Sequence, residues 1–511
     1  MNIFSQKLKI FFLILIIFNT LLSAYWLING DIHYDVDVSR DFLVMEDIIE
    51  NNHFTLLGPR SGAIPGIFHG PLWFYINLPA FFLGKGDPLI VGWFWFCLSV
   101  FFLLLVFWVT KKLFDTEVAF LSTLLLSANS IINPSIGLKN FYNPYGAVFL
   151  TPLFFWLFHR YINSLKAKYL IFSLFTLGFI IQFQMAFGIP ILIALTVFLG
   201  YLLFIKRKLI HFLSYLILLI PISTFILFDI KHDWLQYKAL IRFLSQNSSS
   251  GNILNIFQDR IRVLFFDFFD FLSPGKNILT IFQAIFFLVV LIIGIKSNNN
   301  PKRKVYILFS IIFFGFWVVS LFYQGGTGNY FWPLLPLAVI VFCSFYRVLK
   351  ARIFLGVFCL LYLVNVYAGI SAIMDFETDV DRRGPHSWAF NLYVAKKIYA
   401  DAKVDFGYFN FSPDRYAYQQ RYAMSYAKKY SPNLNSFSFV KKPLTYLVEV
   451  DPPKDRPDLN GTSWRISDVG IDRLPDQIFR FDFIQVEKYF LNNEEIKIEP
   501  NAYLLDKAFL R

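Results

Sequence analysis

Over the first 374 residues, apolar positions come in long unbroken runs instead of alternating with polar ones. A helix rises 1.5 Å per residue, so crossing about 30 Å of hydrocarbon takes about 20 apolar residues. On that rule the pattern predicts eleven membrane spans, at 9–28, 88–110, 117–133, 144–161, 169–187, 188–205, 209–228, 278–295, 305–323, 331–347 and 353–373. Basic residues then fall in every second loop: Lys7 and Lys9, Lys111 and Lys112, Lys166 and Lys168, Lys206 to Lys208, Lys302 to Lys304, and Arg347, Lys350 and Arg352. Short basic loops stay in the cytoplasm, so the N-terminus is expected inside and the chain from about 375 outside. The first run resembles a secretory signal, but it is too long and lacks a small-residue cleavage site. It reads as a retained anchor.

Past Met374 the period changes. Apolar runs shorten, proline and charge rise, and "VDFGYFNF", "LTYLVEV" and "QIFRFDFIQVEKYF" read as strands. "SPDRYAYQQRYAMSYAKKY" reads as a helix capped by Ser412, with Pro413 at its first position. The expected architecture is an all-α polytopic membrane domain over 1–374, with a long outer loop at 29–87, and a small extracytoplasmic α/β domain over 375–511.

Composition supports this division. Of 511 residues, 56% are apolar and only 16% charged, which points to a multi-pass membrane protein of the cell membrane. The net charge of +12 would suit a nucleic-acid binder, but the basic residues sit as short clusters between spans, so no nucleic-acid partner is expected. Three cysteines, Cys97, Cys343 and Cys359, lie inside apolar segments and imply neither a disulfide framework nor a metal site.

The outer loops hold most of the polar, non-basic residues of the membrane half. They are 29–87, "PSIGLKNFYN" at 134–143, the region around Gln184, 229–277, and "QGGTGNY" at 324–330. Their grouping on one side predicts a single wet site at the outer surface. In the first loop, "DIHYDVDVSRDFLVMEDIIE" crowds acids just past a span. Val38, Phe42, Met45 and Ile49 are spaced as one face of a helix lying along the membrane surface. Asp37 at its start fits a helix cap, the commoner use of such a residue. It also fits a general base held at headgroup depth, acting on a hydroxyl while the other reactant stays in lipid. "GPRSGAIPGIFHGPLWFYINLPAFF" then folds the loop back and presents Arg60 and His69. Asp267 and Asp270, among phenylalanines in 229–277, suggest a second interfacial helix covering the site. Lys231, Arg242, Arg260 and Arg262 suit attraction to anionic membrane lipids.

"DVSR" and "HGPLWFY" together resemble the GT-C integral-membrane glycosyltransferases that include the protein O-mannosyltransferases and the lipid A aminoarabinose transferases. Their first outer loop carries Asp-Glu-x-Arg, followed some thirty residues later by Lys-Pro-Pro or Gly-Pro before aromatics. The resemblance makes Asp37 the catalytic base and Arg40 a residue that positions it or the donor phosphate. It extends in layout over about 1–370, through "NFYNPYG", "QFQMAFG" and "GNYFWPLLP". It implies transfer of a sugar from a polyprenyl-phosphate donor to a hydroxyl of a glycan, lipid or protein acceptor, with inversion. Arg60 and Lys139 are further candidates for the phosphate, since cations neutralise it and guanidinium matches its geometry. Asn143, Gln184 and Tyr330, with His69, are candidates for lining the pocket. Three positions depart from the family pattern: Val38 and Phe68 stand where acids occur, and Asn143 where an Asp often does. No definite cofactor is implied. A divalent metal on His33, Asp35 and His69 is allowed, though no ligand spacing compels it.

A lipid-linked sugar flippase is the main rival. It would place ionisable residues mid-span and repeat its spans, and the sequence shows neither. A glycan ligase would share the topology, and a structural scaffold would have no use for Asp37.

Overall fold

The computed structural model describes residues 4–61, 64–129, 141–247, 253–272, 278–297, 302–322 and 328–501. Over its described residues each expected span falls on one to three apolar helices; 130–133 and 323 lie outside the described residues. Four described helices are long and apolar enough to cross a membrane: Pro88–Leu113, Met185–Ile205, Arg303–Ser320 and Ala351–Met374. Two of the predicted spans differ in shape from the expectation. The run at 209–228 divides into Leu209–Leu219 and Ser223–Lys231, which meet at 61°. Pro221 lies in the break, where its ring and missing N–H cannot continue a helix. The boundary expected at 187 lies instead at Gln184, between Ala167–Phe183 and Met185–Ile205.

The chain forms two compact units. One comprises Met1–Ala24, Thr55–Ile76 and Trp95–Ile373; the other comprises Tyr25–Phe54, Asn77–Phe94 and Met374–Arg511. In the first, the helices pack through Phe and Leu side chains that are almost wholly buried, among them Phe154, Phe158, Leu177, Leu195 and Phe313. Small residues admit the closest approaches. A Cβ on Gly146 would fall 2.5 Å from the Phe183 ring, so only glycine lets Pro144–Ser164 pack on Ala167–Phe183 here. Polar side chains inside the bundle pair with one another. Asn19 donates to Ser127 at 3.0 Å and to Tyr362 at 3.1 Å, and Asn129 donates to Asn365 at 2.8 Å. Such pairs answer the cost of polar groups in hydrocarbon. Arg347 joins Asp115 and the buried Glu117, which also accepts from the Phe4 N–H.

The second unit is built on a five-stranded sheet in the order β2-β1-β3-β5-β4. The strands are β1 (Phe406–Phe411), β2 (Ser436–Ser438), β3 (Leu444–Val450), β4 (Gln477–Phe481) and β5 (Ile484–Phe490). β1 pairs in parallel with β2 and β3, while β5 runs antiparallel to β3 and β4. The run "QIFRFDFIQVEKYF", expected as strand throughout, turns at Asp482 and Phe483 to make the β4–β5 hairpin. Phe409, Leu447, Tyr489 and Trp464 form a core on the sheet. Trp388–Asp401 packs against Tyr418–Ala427. Ser412 does not cap that second helix, which begins six residues later. Its hydroxyl accepts from the Ala417 N–H at 2.8 Å and pairs with Asp414, shaping a turn instead.

Candidate functional site

The acids of the first loop belong to the second unit, and most of them have defined partners. Asp31 is fully buried. It accepts from the Ser387 hydroxyl at 2.5 Å and the Ala389 N–H at 3.0 Å, and pairs with Arg383 at 3.2 Å. It therefore fastens the start of the Trp388–Asp401 helix, and burial raises its pKa despite those donors. Asp35, not Asp37, caps the Val36–Asn51 helix, accepting from the Val38 N–H at 3.0 Å.

Asp37 is thereby left in the first turn with another partner. Its Oδ1 lies 2.5 Å from Arg40 Nη1, three residues along the same helix. The other face of that guanidinium holds Asp41 Oδ1, at 3.1 Å from Nε and 2.7 Å from Nη2. The three side chains differ sharply in exposure: 42% for Asp37, 12% for Arg40 and 6% for Asp41. Asp41 Oδ2 is buried with no hydrogen-bond partner among the described residues. Burial raises Asp41 to about 7 against the pull of Arg40, and burial together with Asp37 raises Asp35 to about 7. For Arg40, burial alone would lower the pKa, but Asp41 and Asp37 outweigh it and hold the guanidinium charged. The result is one reachable carboxylate oriented by a buried cation, whose remaining hydrogen bonds are taken by a second, hidden carboxylate.

The helix's apolar face was expected against lipid. It packs instead on protein within its own unit. Phe42 stacks on Tyr422 at 5.3 Å and on Phe81 at 5.8 Å, and Glu46 accepts from the Ser425 hydroxyl at 2.7 Å. Burial raises Glu46 to about 7. Fixed tertiary packing of this kind holds a side chain more firmly than a lipid surface does.

In the first unit, three segments that are far apart in sequence meet. The Gly70 N–H donates to Gln182 O at 2.8 Å, and the Met185 N–H approaches His69 Nδ1 at 3.5 Å. Asn143 Nδ2 donates to Phe183 O at 2.7 Å. His69 is buried, its backbone paired with Gly58 and Pro59 at 2.8 Å each. A Cβ on Gly70 would fall 1.6 Å from Gln182 Oε1, so this contact requires glycine. Gln182 Nε2 donates to Thr224 at 2.8 Å and to Pro221 O. Gln184 is 1% exposed at the break between two helices. The Oε1 atoms of both glutamines are buried without a partner among the described residues. Beside this cluster lies an apolar cavity of about 360 Å³, lined by residues that include Trp73, Phe102, Gly146, Phe149, Phe179 and Phe183.

The crystal structure of ArnT from Cupriavidus metallidurans bound to undecaprenyl phosphate superposes with a TM-score of 0.58, covering 93% of this chain and 97% of that one at 10% identity. The same protein in its apo state superposes with a TM-score of 0.56 over the same shares, also at 10% identity. The chain has the GT-C fold. It is a multi-pass membrane protein of that architecture. No protein-family model matches it, and no curated protein sequence resembles it significantly. The likeness is thus one of fold, with little shared side-chain identity.

Within this GT-C chain the remaining candidates are dispersed. Arg60 is exposed, bridges to Phe68 through its backbone and lies over that ring at 5.9 Å. Tyr330 is half-buried, and burial raises its pKa against the influence of Arg260. Its neighbour Asn329 donates to the Tyr142 hydroxyl at 2.6 Å, so the 328–332 segment joins the Asn143 region. Lys139 lies outside the described residues. Arg260 is 4% exposed, close to Asp259 at 2.7 Å and to Ser320 O at 3.3 Å. Its burial sets it apart from a cation that attracts lipid headgroups. Nothing in the residue pattern marked this, because neither its spacing nor its neighbours differ from those of Arg262. Asp41 and Gln182 also exceeded their sequence signal, which marked them only as an acid among acids and a polar residue near a helix end. Among the described residues no three His, Cys, Asp or Glu side chains gather as a metal-binding group.

Proposed function

We propose that the protein transfers a sugar from a polyprenyl-phosphate carrier to an acceptor hydroxyl at the outer face of the membrane. Asp37 removes the hydroxyl proton as its oxygen attacks the anomeric carbon. The lipid phosphate leaves with the bonding pair, and configuration inverts. Lipid phosphate is a competent leaving group, so placement and charge stabilisation supply most of the acceleration. The observation that carries the reading is the exposed Asp37 carboxylate held by Arg40, whose second face is occupied by the buried Asp41. A base must be reachable and still oriented, and this arrangement supplies both.

The donor's needs match the first unit. Its apolar cavity suits a prenyl chain, and His69, Asn143, Gln182 and Gln184 beside it offer hydrogen-bonding groups to a phosphate or sugar. Arg60 and Tyr330 are assigned to the same donor, and Arg40 to the base. The ArnT neighbour was crystallised with undecaprenyl phosphate, which fits a lipid-phosphate donor. The basic loops place the N-terminus in the cytoplasm and residues from about 375 outside.

The test is direct. Purified protein in nanodiscs is incubated with a panel of radiolabelled undecaprenyl-phosphate sugars and cell-envelope acceptors, and transfer is followed by release of undecaprenyl phosphate. At least one donor is expected to turn over with wild type and not with Asp37→Asn. Equal turnover by both proteins would remove Asp37 as the base, and movement of intact donor across the bilayer without sugar release would favour a flippase.

A further inference from the structure

The second unit contains a cavity of about 370 Å³ that the proposed chemistry does not use. Its walls include Asp87, Trp388, Tyr393, Lys396, Tyr426 and Tyr430, with Leu89 and Leu392 adding apolar surface. This volume lies in the about 300–1,000 Å³ range of small-ligand sites. Its polar groups are fixed before any ligand arrives. Asp87 accepts from the Leu89 N–H at 2.9 Å, and the buried Tyr426 ring meets Tyr430 edge-on at 6.1 Å. Burial and Asp87 raise the Tyr426 pKa, so its hydroxyl keeps its proton. The Lys396 ammonium lies 3.7 Å from the Tyr430 ring centre, and Trp388 meets Tyr426 edge-on at 5.2 Å.

Three ligand classes can be weighed against that lining. A lipid chain would strip water from Asp87, Lys396 and two tyrosine hydroxyls without replacing their hydrogen bonds. A phosphate or carboxylate would meet Asp87, with Lys396 the one cation among the described residues that line the wall and Lys429 lying 4.3 Å from the Tyr426 ring centre. A neutral sugar has C–H faces for tyrosine rings, and hydroxyls that both donate to Asp87 and accept from Lys396 and Tyr426. We propose that this cavity binds a neutral glycan, and that the glycan is the acceptor end of the transfer reaction. The second clause rests on the glycosyltransferase reading; the first does not.

Continuity within the unit supports an acceptor role. Trp388 touches Tyr34 at 5.2 Å and Tyr422 at 5.9 Å, and Tyr422 stacks on Phe42, the residue after Asp41. One aromatic layer thus backs both the cavity and the helix that carries Asp37. An acceptor held here would ride on the same body as the base that deprotonates it.

The experiment separates the two claims. Full-length protein in nanodiscs is mixed with cellobiose, mannobiose or N,N′-diacetylchitobiose at millimolar concentration. Saturation is transferred from protein aromatic protons to sugar C–H protons and read by NMR. Lys396 and Tyr430 are exposed, so Lys396→Ala and Tyr430→Ala should leave the fold intact. At least one disaccharide is expected to show transfer in wild type and in Asp37→Asn. Affinity should fall about tenfold in Tyr430→Ala, the loss of one well-placed contact. In turnover assays the same variant should raise acceptor KM without changing donor KM or kcat. No saturation of any probe overturns the glycan site, as does saturation unchanged in both alanine variants, or saturation confined to an anionic probe such as glucose 6-phosphate. Binding that Tyr430→Ala weakens with no change in acceptor KM overturns the acceptor role alone. Loss of transfer in Asp37→Asn without any sugar binding leaves the glycosyltransferase reading standing and this inference refuted.

Discussion

The acid cluster of the second unit and the amide cluster of the first handle buried polarity in opposite ways. Around Arg40 two carboxylates, Asp37 and Asp41, hold one guanidinium, and Asp41 is nearly inaccessible. Around Gln182 the side chains are a histidine and three amides, held by backbone carbonyls and by the closeness that Gly70 permits. The first arrangement is sensitive to protons, and its one reachable member points to proton transfer. The second has no carboxylate among those four side chains, so it can present hydrogen bonds to a ligand without repelling a phosphate. On the proposed function, the contrast is between doing chemistry and recognising a substrate.

The strongest challenge to that contrast is Asp37→Asn, which keeps size and first-turn placement while removing the base. A loss of about 10²- to 10⁴-fold in transfer rate is expected, with the melting temperature unchanged. If stability fell and turnover did not, the acid cluster would be structural. Next comes Arg40→Met. Removing one partner from a buried ionic group costs about 3–5 kcal/mol, measured by denaturation in detergent. The loss should be larger at pH 8 than at pH 6, because Asp41 is raised to about 7 and can shed its charge by protonation at the lower pH.

Gly70→Ala addresses the other cluster. The new methyl collides with Gln182, and overpacking of this kind costs about 1–3 kcal/mol. Donor KM should rise while the pH profile of turnover stays that of wild type. A shifted profile would mean the amide cluster is not the neutral partner described here. A last test, read only in the pH dependence of stability, concerns Asp41→Asn. A carboxyl raised to about 7 when folded, against about 4 when unfolded, makes the folded state the stronger proton binder. Its contribution to stability is therefore full below about pH 4 and declines as pH rises to about 7. Melting temperature followed across that window should fall less steeply in Asp41→Asn than in wild type.

Much of the architecture was legible because lipid and water impose long-wavelength patterns. Apolar runs located the helices, and the period change after Met374 located the segments of β1, β3, β4 and β5, including Leu444–Val450 to the residue, while the three-residue β2 was missed. Breaks were less legible, since a proline such as Pro221 is compatible with a kinked or a divided helix. In the candidate site, "DVSR" drew attention to Asp37 and Arg40. The capping role went to the wrong aspartate because Asp35 and Asp37 both precede the helix's apolar face, and only backbone geometry distinguishes them.

By itself, the sequence determined which segments avoid water, where helices and strands alternate, and which loops carry carboxylates, because these follow from local composition and period. Tertiary structure decided that Arg40 divides its guanidinium between an exposed and a hidden carboxylate, that Arg260 is buried, and that Gly70, Gln182 and Asn143 converge. Burial and long-range contact set the strength of every charge and hydrogen bond, and neither is encoded in the spacing of residues along a chain.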